Sequence, residues 1–260
     1  TGTGEIGKIF DRDPNLSAFA SPLRNTTMLY VSELNFDSVQ GGLVLIPGVG
    51  EIVWLPAFSL TGPCFIVGFG AVIGGEMDIF SGRESPKSAI ELGRGILARF
   101  VPWHAREWWR IDLLDGNGFL TAAITPAVRK PSARLPSGKL VLGIGDAVIL
   151  NDPIAAQGSN NAAKAADHYL KAIVEHGIRP FDAAWMEEMF SAYWEDAQWS
   201  VALSNAFLKS MPAHVRDLFK AAEKSQTLRE IIMDGYNRPE TLFPWMLDAE
   251  LTHKLVEQRS

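Results

Sequence analysis

The hydrophobic and polar positions divide the chain into a β-patterned first half and a helix-patterned second half. In the first half, short runs of β-branched and aromatic residues alternate with glycine or proline turns, which is typical of strands. The runs are Thr26–Glu33, Leu43–Pro47, Glu51–Pro56, Cys64–Ile73, Glu76–Phe80 and Phe119–Ile124. The pattern predicts an antiparallel sheet or meander.

Helical patterns begin at Ser85 and Pro86, which provide an N-cap and a proline at the first helical position. That helix is expected to run to about Phe100, and the tryptophans of Trp103–Trp109 are expected to anchor it on the sheet. Later helical patterns cover Ala162–Val174, Phe181–Leu208, Pro212–Lys224, Gln226–Asp234 and, with breaks, Pro239–Gln258. Gly235 is expected to end the fourth of these helices.

Between the two halves lies an apolar run, Lys139–Gly145, which is typical of a strand in a parallel sheet covered on both faces. It leads into GDAVILNDPIAAQGSNN, residues 145–161, and then into the alanine-rich helix. The loop ends in Gly158, Ser159 and Asn160. These residue types allow a close approach of the backbone to a ligand and can provide the N-cap of the helix. The amides and the helix dipole there favour an anionic or electron-rich ligand.

Asp146 follows this apolar run directly. A carboxylate at the carboxyl end of a strand lies where open α/β sheets hold ligands, and it can accept a hydrogen bond from a sugar or ribityl hydroxyl. Alternatively, Asp146 caps the following turn. The pattern alone leaves both interpretations open.

Composition narrows the function classes. With 260 residues, 47% of them hydrophobic and 21% charged, the chain has a globular composition and room for one or two domains. The net charge of −6, without a basic block, argues against nucleic acid as a partner. A single cysteine, Cys64, excludes an internal disulfide, is expected to be a small buried residue, and suits a cytoplasmic location.

The sequence also indicates neither a membrane-spanning segment nor a metal site. No apolar run is long and clean enough to span a membrane, and the first residues have no signal-peptide pattern. The five histidines show no metal-ligand spacing, so we expect them to be structural or on the surface.

The segment from Gly145 to Ala162 carries a family resemblance. Gly-Asp followed by Pro153-x-x-Ala-Gln-Gly-x-Asn160 resembles the second flavin-contacting motif of FAD-dependent aromatic monooxygenases with the para-hydroxybenzoate hydroxylase fold. Within that superfamily, the chain is most similar to the oxygenase component of styrene and indole monooxygenases. The similarity continues in order through Thr1–Phe10, Ser21–Arg24, Gly48–Ser59 and Gly74–Met77.

This resemblance implies a two-component flavoprotein monooxygenase. A separate flavin reductase supplies reduced FAD, oxygen is trapped as a C4a-(hydro)peroxyflavin, and one oxygen atom passes to a small apolar aromatic, as in styrene or indole epoxidation. No catalytic side chain is expected, because the cofactor carries the chemistry. The resemblance also suggests a homodimer.

The resemblance further implies residue roles. Asp146 would hold the ribityl or ribose part of FAD, and the backbone of Pro153–Asn160 would line the isoalloxazine. The implied cofactor-binding residues are Gly145, Asp146, Pro153, Ala156, Gln157, Gly158, Ser159 and Asn160. The sheet would cover a substrate pocket lined by Phe58, Phe65 and Phe69, with ordinary sheet core as the alternative for each.

Three features depart from the family pattern. No GxGxxG dinucleotide fingerprint follows a first strand, and Ala156 replaces the first glycine of PxxGQG, where a methyl group crowds the flavin or demands another backbone angle. Thr1–Gly4 has the pattern of a strand end, so we expect further sequence before it.

The predicted fold class is α/β (α+β). It comprises a partial FAD-binding, Rossmann-like domain with C-terminal helices (1–20 and 130–260) and an inserted antiparallel β-sheet substrate-binding domain (21–129), with the polar connector Arg129–Gly138 at the boundary. Three functions stay open. They are the monooxygenase, a different flavoenzyme such as a halogenase or an NADH-using hydroxylase, and a non-catalytic fragment that binds apolar ligands without holding FAD.

Overall fold

The computed structural model describes residues 5–32, 41–80 and 85–259, and it divides into two compact units. The first unit combines residues 1–20 with 125–260, and the second unit is the continuous segment 21–124. The expected strand end at Thr1–Gly4 and the predicted strand terminus at Glu33 lie outside the described residues.

Helices and antiparallel strands share the chain, which confirms the mixed α and β fold class. The strands are β1 Arg24–Ser32, β2 Gly42–Ile46, β3 Gly50–Ser59, β4 Gly62–Val72, β5 Phe119–Ala123, β6 Ala127–Val128, β7 Ser132–Arg134, β8 Leu140–Leu142 and β9 Ile149–Leu150. The helices are α1 Glu5–Ile9, α2 Pro86–Phe100, α3 Ala105–Trp108, α4 Gly158–His176, α5 Ala183–Phe207, α6 Ala213–Ala222, α7 Gln226–Asn237 and α8 Ala249–Arg259.

The second unit is built on a five-stranded antiparallel sheet in the order β2-β3-β4-β1-β5. Four predicted strands and the run at Phe119 form it. The prediction of a strand at Glu76–Phe80 is wrong, because Asp78 folds this segment into turns. Its carboxylate accepts hydrogen bonds from Gly74 N at 2.8 Å and from Asn25 Nδ2 at 2.7 Å.

The α2 helix covers one face of this sheet over the predicted range. Ser85 caps it by accepting a hydrogen bond from Ser88 N at 3.1 Å. Gly93 lets the helix approach closely, because a β-carbon there would lie 2.6 Å from Leu29 Cδ1 and 3.5 Å from the Phe69 ring. The free cysteine, Cys64, is buried as predicted.

Only one of the three clustered tryptophans anchors the core. Trp108 is fully buried and donates its indole N–H to Val101 O at 3.0 Å. Trp103 and Trp109 are 61% and 63% exposed, so the prediction that all three pack against the sheet is wrong.

In the first unit, the prediction of a buried parallel strand at Lys139–Gly145 is wrong. Within this run only Leu140–Leu142 forms a strand, β8, which pairs antiparallel with β7, while β9 pairs antiparallel with β6. All three β8 residues are only partly buried. The run therefore has one neighbouring strand and is otherwise accommodated by packing. Its apolar content alone did not predict which strand pairs with it or in which direction.

Helices complete the first unit near their predicted positions, with one correction at Gly235. The α7 helix passes through Gly235 and ends at Asn237. A β-carbon at Gly235 would overlap the Leu242 side chain, so this glycine serves close packing rather than helix termination. None of the described helices is long and apolar enough to cross a membrane.

Candidate functional site

Asp146 lies in a short 3-10 turn, Gly145–Ala147, that follows β8. Gly145 takes a positive φ of 56° there, a conformation that favours glycine, and the Asp146 residue is exposed. The turn packs against α4. The structure therefore places the Asp146 turn beside the helix that the cofactor motif begins.

Arg129 holds this turn, and the sequence analysis missed it. Its Nη1 contacts the carbonyl oxygens of Asp146 at 3.3 Å and of Ala147 at 3.2 Å. Burial and the nearby Arg12 lower the pKa of Arg129, whereas the charge of Asp146 raises it. Nothing in the local sequence signals this pairing, because 17 positions separate Arg129 from Asp146.

The motif loop is a compact turn with its own cap. Asp152 is buried, and its Oδ1 accepts a hydrogen bond from Ile154 N at 3.0 Å. Pro153–Ala155 forms a 3-10 turn that packs on α5. Ala156 then adopts the left-handed conformation, with φ 51° and ψ 28°, and lies exposed. This position, where the family pattern has glycine, therefore combines a left-handed backbone with a methyl group.

Gln157 points into the protein. It is 3% exposed, and its Nε2 donates to Ala155 O at 3.2 Å and to Tyr236 O at 3.0 Å. Burial raises the pKa of the Tyr236 phenol. The Gln157 side chain therefore ties the motif loop to α7, and only its backbone remains for a ligand.

The α4 helix begins at Gly158, so the residues expected to provide its N-cap, Gly158, Ser159 and Asn160, lie inside its first turn instead. Gln157 holds the N-cap position in a helical conformation and makes no side-chain capping bond. Gly158, Ser159 and Asn160 form an exposed first turn. The positive end of a 19-residue helix is thus presented at the surface without a side-chain cap.

These features suit a ligand with a hydroxylated chain and an electron-rich ring edge. Asp146 offers an exposed carboxylate, residues 158–160 offer an exposed helix start, and Ala156 between them has a left-handed backbone. The local geometry of residues 145–160 therefore fits the flavin that the motif implies.

The three phenylalanines expected in a substrate pocket differ in burial and do not line one pocket. Phe65 and Phe69 are 5% and 1% exposed and belong to the core cluster on the α2 side of the sheet. Phe58 is 87% exposed, close to the turn between β3 and β4. Phe65 and Phe69 are sheet core, the alternative interpretation given above.

The opposite face of the sheet, which we call the outer face, carries a different apolar surface. Directly paired residues lie on one side of an antiparallel sheet. The register therefore aligns Leu43, Val53, Gly68, Met28 and Leu120 across five strands. Leu45, Leu55, Ile66, Tyr30 and Ala122 extend this face in the flanking rows.

The outer face combines exposed apolar side chains with one buried ion pair. Leu43, Leu55 and Leu120 are 46%, 46% and 59% exposed. At one end, Glu51 pairs with Arg24. A β-carbon at Gly70 would overlap the Glu51 carboxylate, so the glycine makes room for the pair. Sequence reasoning missed this surface because register, rather than residue type, assembles it.

Comparison with known proteins supports the motif-based resemblance. Residues 2–106 match the family described as "Styrene monooxygenase A putative substrate binding domain". The styrene monooxygenase StyA of Pseudomonas fluorescens is 22% identical over 254 residues, which cover 92% of this chain and 60% of the relative. The chain thus spans about 60% of the length of the curated relatives it matches.

Solved structures share the fold. A flavoprotein/dehydrogenase from Cytophaga hutchinsonii superposes with a TM-score of 0.61 at 14% identity, covering 95% of this chain and 57% of that protein. The flavin-dependent brominase Bmp2 superposes with a TM-score of 0.54 at 15% identity, covering 93% and 56%. The similarity to styrene monooxygenases inferred from the motif is confirmed, and the fold is that of flavoproteins.

Proposed function

We propose that this chain forms most of the oxygenase component of a two-component flavin-dependent monooxygenase, which transfers one oxygen atom to a small apolar aromatic such as styrene or indole. The observation that carries the proposal is the motif loop, with its left-handed Ala156 and the exposed, uncapped start of α4. The similarity to styrene monooxygenases along 92% of the chain supports it.

In this proposal, residues 145–160 hold FAD supplied in reduced form by a separate reductase. Reduced flavin, once bound, supplies the electrons that activate oxygen. Asp146 accepts a hydrogen bond from a ribityl or ribose hydroxyl, and the amides of residues 158–160 stabilise negative charge on the ring edge. Arg129 keeps the Asp146 turn in place through its two carbonyl contacts.

The outer face of the sheet is the proposed substrate surface. Its exposed leucines and Tyr30 offer apolar contact area without a charged group in the central row. Monomeric proteins rarely leave such contiguous apolar surface without a binding role. A hydrocarbon side group finds only dispersion contacts there, which suits styrene better than a carboxylated aromatic.

The test uses the chain alone and the chain extended at its N-terminus by the upstream sequence of its gene. Each is titrated anaerobically with reduced FAD and then assayed with styrene or indole, NADH and a flavin reductase. We expect the extended protein to bind reduced FAD and to form styrene oxide and indigo. Neither binding nor product in the extended protein would contradict the proposal.

Asp146→Ala should weaken binding of reduced FAD by the extended protein about tenfold, because a hydrogen bond to a charged acceptor is lost. Equilibrium titration measures this change. Asp167→Ala serves as the control, since Asp167 is an exposed residue of α4 paired with Lys171. An unchanged dissociation constant for Asp146→Ala would leave this residue as a turn former only.

The alternative function is a module that binds apolar ligands without flavin. The one observation that favours it is the apolar outer face of the sheet. Tryptophan fluorescence of the same proteins titrated with styrene separates the two functions. Styrene binding by both proteins, without reduced-FAD binding by either, would establish the binding module in place of the monooxygenase.

A further inference from the structure

A small cavity lies in the first unit beside the entry to the motif loop. It measures about 10 Å³, which is room for a single water molecule. Its lining comes from residues 16–18 and 126–128, from the end of β9, and from α5. Most of that lining is apolar, but Asn151 and Asn205 also face the cavity.

These two asparagines leave complementary polar atoms unsatisfied. Asn151 Nδ2, a donor, and Asn205 Oδ1, an acceptor, are both buried and have no hydrogen-bond partner among the described residues. Burying either atom without a partner destabilises the fold, so a native protein rarely leaves two such atoms at one cavity.

The Ser17 hydroxyl group, which also lines the cavity, already has hydrogen-bond partners. Ser17 Oγ donates to Val128 O and accepts from Val128 N, each at 3.0 Å. Its one proton is therefore used, and Ser17 cannot satisfy Asn205 Oδ1. A ligand that fits must be the size of water, accept one hydrogen bond and donate another.

We propose that this cavity binds one structural water molecule, which accepts a hydrogen bond from Asn151 Nδ2 and donates one to Asn205 Oδ1. Asn151 directly precedes the Asp152 turn, and Asn205 lies on α5. The water thus joins the entry of the motif loop to the long helix of the same unit. This site is independent of the proposed function, because it involves solvent and no cofactor.

The direct test is water–amide magnetisation transfer in the deuterated, ¹⁵N-labelled full chain. The side-chain NH₂ signal of Asn151 is assigned by its loss in Asn151→Leu. We expect a cross peak between that NH₂ and water with the sign of a long-lived bound molecule. Its absence would overturn the proposal, whatever the stabilities of the variants.

A double-mutant cycle provides the second measurement. Asn151→Leu and Asn205→Leu should each raise the unfolding equilibrium constant about tenfold, because each leaves the other asparagine and the water short of a partner. The double variant should lose less stability than the two single variants together, since it removes both polar side chains and leaves an apolar cavity. Asn117→Leu, at an exposed turn, is the control and should change little. Strictly additive losses would contradict a shared water.

Discussion

At the scale of single residues, Ala156 shows how the motif loop tolerates a departure from the family pattern. The loop keeps a left-handed backbone, φ 51°, at a position where the family pattern has glycine. For an L-residue this conformation costs about 1–2 kcal/mol. Ala156 is exposed, so we assign this cost to its backbone conformation.

Ala156→Gly should therefore raise the free energy of unfolding by up to about 1 kcal/mol, because relief of strain exceeds the added entropy of the unfolded chain. Urea denaturation measures the change. Ala163→Gly, in the exposed interior of α4, is the matched control and should lower stability by about 1 kcal/mol. Equal losses for both variants would show that Ala156 carries no strain.

Two buried tyrosines differ in whether their hydroxyl groups have partners. Tyr193 donates to Asn161 O at 2.9 Å, whereas the Tyr169 hydroxyl is buried without a hydrogen-bond partner in the described part of the chain. Burial, aided by Asp196, raises the pKa of Tyr193 to about 12. Burial, aided by Tyr193, also raises the pKa of Tyr169.

Tyr193→Phe should lower the free energy of unfolding by about 1 kcal/mol, through loss of its hydrogen bond. Tyr169→Phe should leave it unchanged or raise it by about 1 kcal/mol, since an unsatisfied buried hydroxyl is removed. The two variants remove the same atom, so each is the control for the other in urea denaturation. A larger loss for Tyr169→Phe than for Tyr193→Phe would contradict the assigned contacts.

At the scale of elements, the glycines of α2 have separate roles that the sequence does not distinguish. Gly93 lies against Leu29, where a β-carbon does not fit, whereas a β-carbon at Gly95 would meet nothing within 4 Å. Helix propensity disfavours both glycines equally. Only the packing of α2 on the sheet makes one of them necessary.

Gly95→Ala should raise the free energy of unfolding by up to about 1 kcal/mol through helix propensity. Gly93→Ala should lower it by about 1–2 kcal/mol, because overpacking exceeds the same propensity gain. Thermal and urea unfolding measure both variants, and each controls for the other on one helix. A stabilised Gly93→Ala protein would show that α2 does not approach the sheet as closely as described.

At the scale of the whole molecule, the second unit is one continuous segment with its own core. The cluster around Leu29, Phe69 and Trp108 draws on residues 21–124 alone. A hydrophobic core contained within one segment is the physical requirement for independent folding.

We therefore expect a fragment of residues 21–124 to fold cooperatively. Near-ultraviolet circular dichroism from the buried Trp54 and Trp108 reports tertiary packing, and urea denaturation reports cooperativity. Leu29→Ala in this fragment should lower the free energy of unfolding by about 2–5 kcal/mol, as expected for a fully buried leucine. A fragment without near-ultraviolet signal would show that the segment needs the rest of the chain.

Features of the fold that depend on local pattern could be predicted from the amino-acid sequence. Strands β1 to β4, the cap and extent of α2, and the order of the later helices follow from periodicity, turn residues and caps, which act over a few positions. The motif of residues 145–160 was also visible, because its residues are adjacent in sequence.

Features that join residues far apart in the sequence became visible in the folded chain alone. Pairing with β7 made Leu140–Leu142 an antiparallel strand, Tyr236 drew the Gln157 side chain inward, and the sheet register assembled the outer face. The physical reason is shared. The partner of a strand or of a buried polar group is a residue far along the chain. The local sequence pattern contains no information about that residue.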